Sequence, residues 1–314
     1  DTDMDYRALL TNLGRNSATR QVVEVTIPEG YTIDQTFALL EENGITAYNE
    51  GTHTGRVRHL YMRQGWHSGQ RLLCFVVNGN GLPNEAEICA VLQKEFDLTT
   101  ILINRNSERT NVILGRKTRT AAGPGTIEDT LAGVPLQMGV HEFYQVNTPA
   151  AEVLYAKARA YAGLKPDDFL LDLYCGIGTI GLTASDKARQ VVGVEVNRDA
   201  VRDAIGNAKH NGVKNARFFA ADATAWIREA ADAGQKADVV FMDPPREGST
   251  PAFIESVARM APKRIVYVSC NPETMARDLA LLTQKGYRAE GFTPVDMFPH
   301  STHCEVVGSL VRVK

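Results

Sequence analysis

The sequence predicts an α/β chain: a mostly parallel sheet with helices on both faces and an antiparallel last strand, preceded by a smaller α+β domain. Two observations carry this. From residue 148 onward, short apolar strands alternate strictly with amphipathic helices, which is the grammar of a parallel sheet wound by crossovers. Residues 287–297 and 305–313 then read as two strands with no helix between them, so the last must reverse direction. Residues 1–125 are expected to form the first domain and residues 126–314 the second, with 121–125 (Ala-Ala-Gly-Pro-Gly) as the hinge.

Residues 1–20 are polar and rich in turn formers, 22–27 alternates like a strand, and 32–43 reads as a helix stopped by Gly44. Residues 56–64 and 71–78 read as a hairpin around the 65–69 loop. Residues 84–96 place Ile88, Val91, Leu92 and Phe96 on one helical face, and 99–104 and 111–115 are expected strands. In the second domain the expected strands are 169–174, 191–196, 216–220, 237–242 and 264–269. The helices are 150–162, 199–211, 223–233, 251–260 and 272–285, with a further one after the glycine turn at 176–178.

A hydrophobic content of 44% over 314 residues suffices for two cores, and no apolar run approaches the roughly 18 residues of a membrane helix. Asp1 stands first rather than Met, and a truncated N-terminus is expected. Five scattered cysteines with no CxxC pair argue for a reducing cytoplasm and against a zinc or iron–sulfur site. The net charge of −3 does not advertise nucleic acid, but local charge differs. Arg105, Arg109, Arg116, Lys117 and Arg119 form one cationic group opposed only by Glu108, and Arg56, Arg58, Arg63 and Arg71 form another. Both also fit plain solvated strand faces.

Asp172-Leu173-Tyr174-Cys175-Gly176-Ile177-Gly178-Thr179 sits where the domain's first strand turns into a helix. Glycines there let backbone approach a ligand, and Gly176, Gly178 and Gly181 also satisfy the dinucleotide fingerprint. Glu195 follows about 20 residues on, where a carboxylate grips ribose hydroxyls. This signal points to a nucleoside-containing ligand without choosing between families. Asp222 and Asp243 end the next two strands, at the carboxyl edge where open sheets bind ligands. Asp243-Pro244-Pro245-Arg246 has the D-P-P sequence of enzymes that methylate nucleic acids, but Arg246 stands where amino-group methylases place a stacking aromatic.

Ser269-Cys270-Asn271-Pro272 ends the fifth strand and opens a helix, whose N-terminus is expected to lower the thiol pKa. Glu305 opens the last strand. If that strand inserts between the fifth and sixth, Glu305 reaches the edge that carries Cys270, since strands lie about 4.8 Å apart. A thiolate nucleophile and a carboxylate base would then flank one ring. His300 and His303 read as loop residues, and Cys175 and Cys304 as packing.

At these residues the chain resembles the RNA uracil-5-methyltransferase family. The motifs are Phe143-Tyr144-Gln145-Val146-Asn147, Asp172 to Gly176, Asp243 to Arg246, Ser269 to Pro272, and His303-Cys304-Glu305. The resemblance is close over residues 141–314 and looser before them. It implies a class I (Rossmann-like) methyltransferase fold, S-adenosyl-L-methionine as cofactor, and RNA as partner. It also implies Cys270 as nucleophile, Glu305 as proton acceptor, and Gln145, Tyr174, Gly176, Glu195 and Asp243 as cofactor contacts, with Asp222 near the adenine. Asp296-Met297-Phe298-Pro299-His300 looks more like the ribosomal RNA members than the transfer RNA member, so 23S ribosomal RNA is the expected substrate. Family members often carry Asn at the Thr179 position and a bulkier aliphatic residue at that of Cys304; neither departure removes a catalytic group. Many ribosomal members also carry an N-terminal oligonucleotide-binding barrel, and some a cysteine-rich cluster.

A non-catalytic RNA-binding module would need the arginine groups but not Cys270, Glu305 and Asp243 at one edge. A nicotinamide dehydrogenase is supported by the glycine spacing alone. RNA cytosine-5 methylation uses two cysteines at neighbouring strand ends, and the fourth strand here ends in Asp243.

Overall fold

The computed structural model describes residues 39–313. The strand expected at 22–27 and most of the helix expected at 32–43 lie outside these residues; 39–42 is helical. Strands β1 (Val57–Gln64) and β2 (Arg71–Val77) form the expected antiparallel hairpin, and helix α1 (Glu85–Phe96) carries the chain across to β3 (Thr100–Arg105), parallel to β2. The buried face of α1 uses Cys89 with Ile88, Leu92 and Phe96; Val91 is only half-buried.

The strand expected at 111–115 is a loop, and the fourth strand is β4 (Lys117–Ala122), antiparallel to β3. Side chains take the place of a ladder partner in that loop. Asn106 Nδ2 donates to the Val112 and Ile113 carbonyls, and Asn104 donates to and accepts from Gly115. A Cβ on Gly115 would lie 1.9 Å from the Arg105 carbonyl oxygen, so only glycine permits this approach.

A hairpin follows that the sequence did not predict: β5 (Ile127–Leu131) and β6 (Val134–Met138). It joins the two sheets. Residues of alternate parity on β2 and β3 face opposite ways. Leu73, Phe75, Ile101 and Ile103 pack on α1, while Leu72, Cys74 and Leu102 share a core with Ile127, Leu131, Leu136 and Met138. Each such fully buried side chain contributes roughly 1.5–3 kcal/mol. The same core continues into helix α2 (Thr148–Ala162) through Leu154, Tyr155 and Ala158.

The second sheet comprises β7 (Phe169–Leu173), β8 (Gln190–Glu195), β9 (Ala216–Ala220), β10 (Val239–Met242), β11 (Arg264–Ser269), β12 (Tyr287–Val295) and β13 (Glu305–Arg312). Its order is β12-β13-β11-β10-β7-β8-β9, parallel except for β13, which runs antiparallel as expected and inserts between β11 and β12, the condition under which Glu305 reaches the Cys270 edge. The remaining helices are α3 (Thr179–Ala184), α4 (Arg198–His210), α5 (Ala223–Asp232), α6 (Pro251–Met260) and α7 (Pro272–Gln284). The near-continuous apolar runs in β10 and β11 are fully buried, as strands covered on both faces must be. Strand order reverses between β7 and β10, which opens a crevice beyond their carboxyl ends. Among the described residues no helix is long and apolar enough to cross a membrane.

Candidate active site

The turn after β7 is held tightly. Tyr174 takes a positive φ of 65°, and its N–H and that of Cys175 both donate to the Val194 carbonyl at the end of β8. Gly176, at φ 54°, donates its N–H to Glu195 Oε2 at 3.2 Å. The predicted partners Gly176 and Glu195 therefore meet directly, and Glu195 Oε1 also accepts from Asn197 N. Gly181 lets α3 close on β7: its N–H donates to Asp172 Oδ2 at 2.9 Å, where a Cβ would stand only 2.7 Å from that oxygen. The Tyr174 ring packs on Phe253, 5.4 Å between centroids. Asp222 is exposed and caps α5 by accepting from Ala225 N.

Gln145 is half-buried near Tyr155, whose hydroxyl reaches Thr179 Oγ1 at 3.3 Å. Its segment is anchored by Asn147, which caps α2 and donates from Nδ2 to the Met297 carbonyl in the β12–β13 loop. Tyr144, next to Gln145, donates its hydroxyl to buried Asp129.

Strand register brings Cys270 and Glu305 together. Ser269 pairs with Val306, so the residue after β11 and the first of β13 are cross-strand neighbours. Burial holds the Glu305 carboxyl above its ordinary pKa, and the Arg246 guanidinium opposes this. Asp243 is pushed up to about 8 by burial, then by the charges of Glu305 and Asp172. Asp172 is pushed up to about 7, again by burial first and by Glu195.

Cys270 departs from expectation. Its thiol is raised, not lowered: burial dominates, the Glu305 and Asp243 charges add to it, and Arg246 opposes by charge and hydrogen bond. Poor solvation and two neighbouring carboxyl groups raise it together. Arg246 is thus the cation beside that thiol, a neighbour the sequence did not suggest. Its position is fixed through its carbonyl, which accepts from Asn271 Nδ2 and Thr274 Oγ1 of α7. Arg277 and fully buried Asp278 brace the rest of that loop at Glu247 and Ser249. His300 and His303 remain exposed, Cys175 is buried and Cys304 half-buried.

The site therefore gathers carboxyls at adjoining strand ends, two of which hold protons near neutrality because they are buried together. A ligand bearing a positive centre would relieve that repulsion, and the open glycine turn with Glu195 suits a ribose. Cys270, Glu305, Asp243 and Arg246 lie within electrostatic reach of one another, and Gly176 meets Glu195 at the neighbouring strand ends.

Comparison with known proteins shows which family the chain belongs to. Residues 137–313, more than half the chain, match the tRNA (uracil-5-)-methyltransferase family model. An uncharacterized RNA methyltransferase of Enterococcus faecalis is 40% identical over 275 residues, covering 87% of this chain and 60% of that protein. One from Staphylococcus epidermidis is 43% identical over 274 residues, with the same coverages. The chain thus spans about 60% of the length of these curated relatives. The crystal structure of Pyrococcus abyssi tRNA (uracil-54, C5)-methyltransferase in complex with S-adenosyl-L-homocysteine superposes with a TM-score of 0.74 at 30% identity. The match covers 89% of this chain and 66% of that one. A Streptococcus mutans S-adenosylmethionine-dependent methyltransferase, at 11% identity and a TM-score of 0.53, shares the fold. The chain belongs to the RNA uracil-5-methyltransferase family.

Proposed function

We propose that the protein transfers a methyl group from S-adenosyl-L-methionine to carbon 5 of a uridine in RNA, with ribosomal RNA the favoured substrate. The observation that carries this is the convergence of Cys270, Glu305, Asp243 and Arg246 at one sheet edge. In this reading residues 126–314 carry the chemistry and residues 1–125 the contacts to RNA.

The cofactor, when bound, supplies an electrophilic methyl group. Gln145, Tyr174, Gly176, Glu195, Asp222 and Asp243 would hold it. Carbon 5 of uracil is a weak nucleophile, so Cys270 first adds as thiolate to carbon 6, forming a C–S bond and placing an enolate electron pair over carbon 5. Once carbon 5 carries the methyl group, Glu305 removes its proton. The electrons restore the 5,6 double bond as the C–S bond breaks, and Cys270 leaves as thiolate. Arg246 stabilises the thiolate in both steps. Glu305, whose proton affinity burial raises, is better suited to accept a proton than an exposed glutamate is.

Incubating the protein with labelled S-adenosyl-L-methionine and ribosomal RNA should yield labelled 5-methyluridine. RNA carrying 5-fluorouridine, which lacks the removable proton, should remain covalently attached through Cys270. Label in a base other than uracil would overturn the reading. Transfer RNA is the second substrate, favoured by likeness to the Pyrococcus abyssi enzyme; mapping 5-methyluridine in both RNA classes from a knockout strain decides between them.

A further inference from the structure

The two arginine groups have separate fates. Arg58, Arg63 and Arg71 are structural: Arg58 is buried, Arg63 donates to the Gly139 and Glu142 carbonyls, and Arg71 to that of Phe96. In the other group Arg119 is neutralised by Glu85. Arg105, Arg109, Arg116 and Lys117 are all exposed, and none has an ion-pair partner among the described residues. Arg109 lies in the 106–115 loop between β3 and β4 and the other three flank it; the loop tip also exposes Val112 (58%) and Ile113 (39%).

This loop has no regular structure, yet buried polar groups shape it. Arg58, at 7% exposure, stacks on the Tyr48 ring with its guanidinium 4.4 Å from the centroid. From there it donates to the carbonyls of Asn106 (3.0 Å), Glu108 (2.6 Å) and Thr110 (2.8 Å). Asn104 and Asn106, both buried, hold the opposite limb. Leu114 packs at its root against the core that contains Tyr144, the neighbour of Gln145. These bonds fix the loop's shape before any ligand arrives. Fixing cations in advance lowers the ordering cost of binding a polyanion.

We infer that the 106–115 loop, with Arg105, Arg109, Arg116 and Lys117, is a preformed docking surface for the phosphate backbone of the RNA substrate. The inference rests on the RNA reading above and assigns it a surface. Phosphate contacts position without reading sequence, so the loop sets affinity and orientation rather than target choice. Each neutralised phosphate steepens the salt dependence of binding.

The test is a triple variant, Arg109→Gln, Arg116→Gln and Lys117→Gln, titrated with a fluorescein-labelled RNA hairpin over a salt series. Its log–log salt slope should flatten by about 2 to 3 relative to the parent, with S-adenosyl-L-homocysteine affinity unchanged by calorimetry. KM for RNA should rise while kcat holds. The Arg109→Lys, Arg116→Lys variant keeps the charges and should keep the parental slope. Equal slopes for parent and triple variant would overturn the inference, as would a parent that does not bind the hairpin. If the parent binds RNA with the expected slope difference but transfers no methyl group, the catalytic reading fails and the loop stands. If it methylates RNA and the triple variant is indistinguishable, the loop fails alone.

Discussion

The two sheets carry opposite charge, each at one edge. Beyond the carboxyl ends of the seven-stranded sheet stand Asp172, Glu195, Asp222, Asp243 and, on the reversed strand, Glu305. Beyond one end of the four-stranded sheet stand Arg105, Arg109, Arg116 and Lys117. A net charge of −3 averages these into nothing. Asp172, Asp243 and Glu305 are held above their ordinary pKa values, chiefly by burial, which suits a small cationic ligand held at close range. The cations are exposed on a braced loop, which suits a long polyanion.

Replacing Cys270 tests the acidic edge most severely. Cys270→Ala should reduce methyl transfer by roughly 10³-fold or more, because no other group there can add to carbon 6. Binding of S-adenosyl-L-homocysteine should be unchanged by calorimetry. Residual turnover near the parental rate removes the nucleophile assignment. Glu305→Gln should slow turnover by about 10²–10⁴-fold, the usual contribution of a positioned base, and trap RNA on Cys270 in denaturing gels. Equal adduct lifetimes in variant and parent would count against the base role.

Asp243 links stability to function. Its folded-state pKa of about 8 lies above the ordinary 3.8, so the native state holds a proton that the unfolded chain releases between those values. Stability of the ligand-free protein should therefore fall as pH rises through that window. Asp243→Asn removes the penalty and should stabilise the ligand-free protein at pH 8 by on the order of 1–3 kcal/mol, read by calorimetry as roughly 2–4 °C per kcal/mol. The same change should weaken S-adenosyl-L-homocysteine binding by about tenfold or more, the worth of a hydrogen bond to a charged group. A variant destabilised at pH 8 would show that the carboxylate is satisfied without a ligand.

The contrast also explains what could be read in advance. The seven-stranded sheet is legible because buried strands such as Val239–Met242 are unbroken apolar runs, and the parallel direction of its strands follows from the alternation. Cys270 and Glu305 are legible because strand ends place them. The hairpin is not: Ile127–Leu131 contains Glu128 and Asp129, and Val134–Met138 contains Pro135. Yet Asp129 is buried because it accepts from the N–H groups of Trp66, His67 and Ser68, partners more than 60 residues away in sequence. Residues 111–115 mislead in the other direction. Their β-branched residues look like a strand, while Arg58 and Asn104 from outside the loop, and Asn106 from its first position, satisfy its carbonyls. The true strand, Lys117–Ala122, is a polar edge. Arg246 and the raised Cys270 pKa escape because burial among neighbouring charges is a property of the assembled edge.

The smallest effect separates compensated from uncompensated cations. Arg119 lies among the loop cations in sequence, but its guanidinium meets both Glu85 carboxylate oxygens at 2.6 Å, with side-chain exposures of 48% and 21%. Removing both ends together, as Arg119→Gln with Glu85→Gln, leaves the net charge unchanged and should cost less than about 1 kcal/mol. Since the pair offers a phosphate no uncompensated charge, the salt slope for the RNA hairpin should equal the parent's. Arg109→Gln alone should flatten it by about 0.7–0.9. If the double variant flattened the slope as much as Arg109→Gln does, phosphate would be drawn to arginine wherever it sits on this sheet. The absence of an acidic partner would then no longer mark the RNA-facing surface.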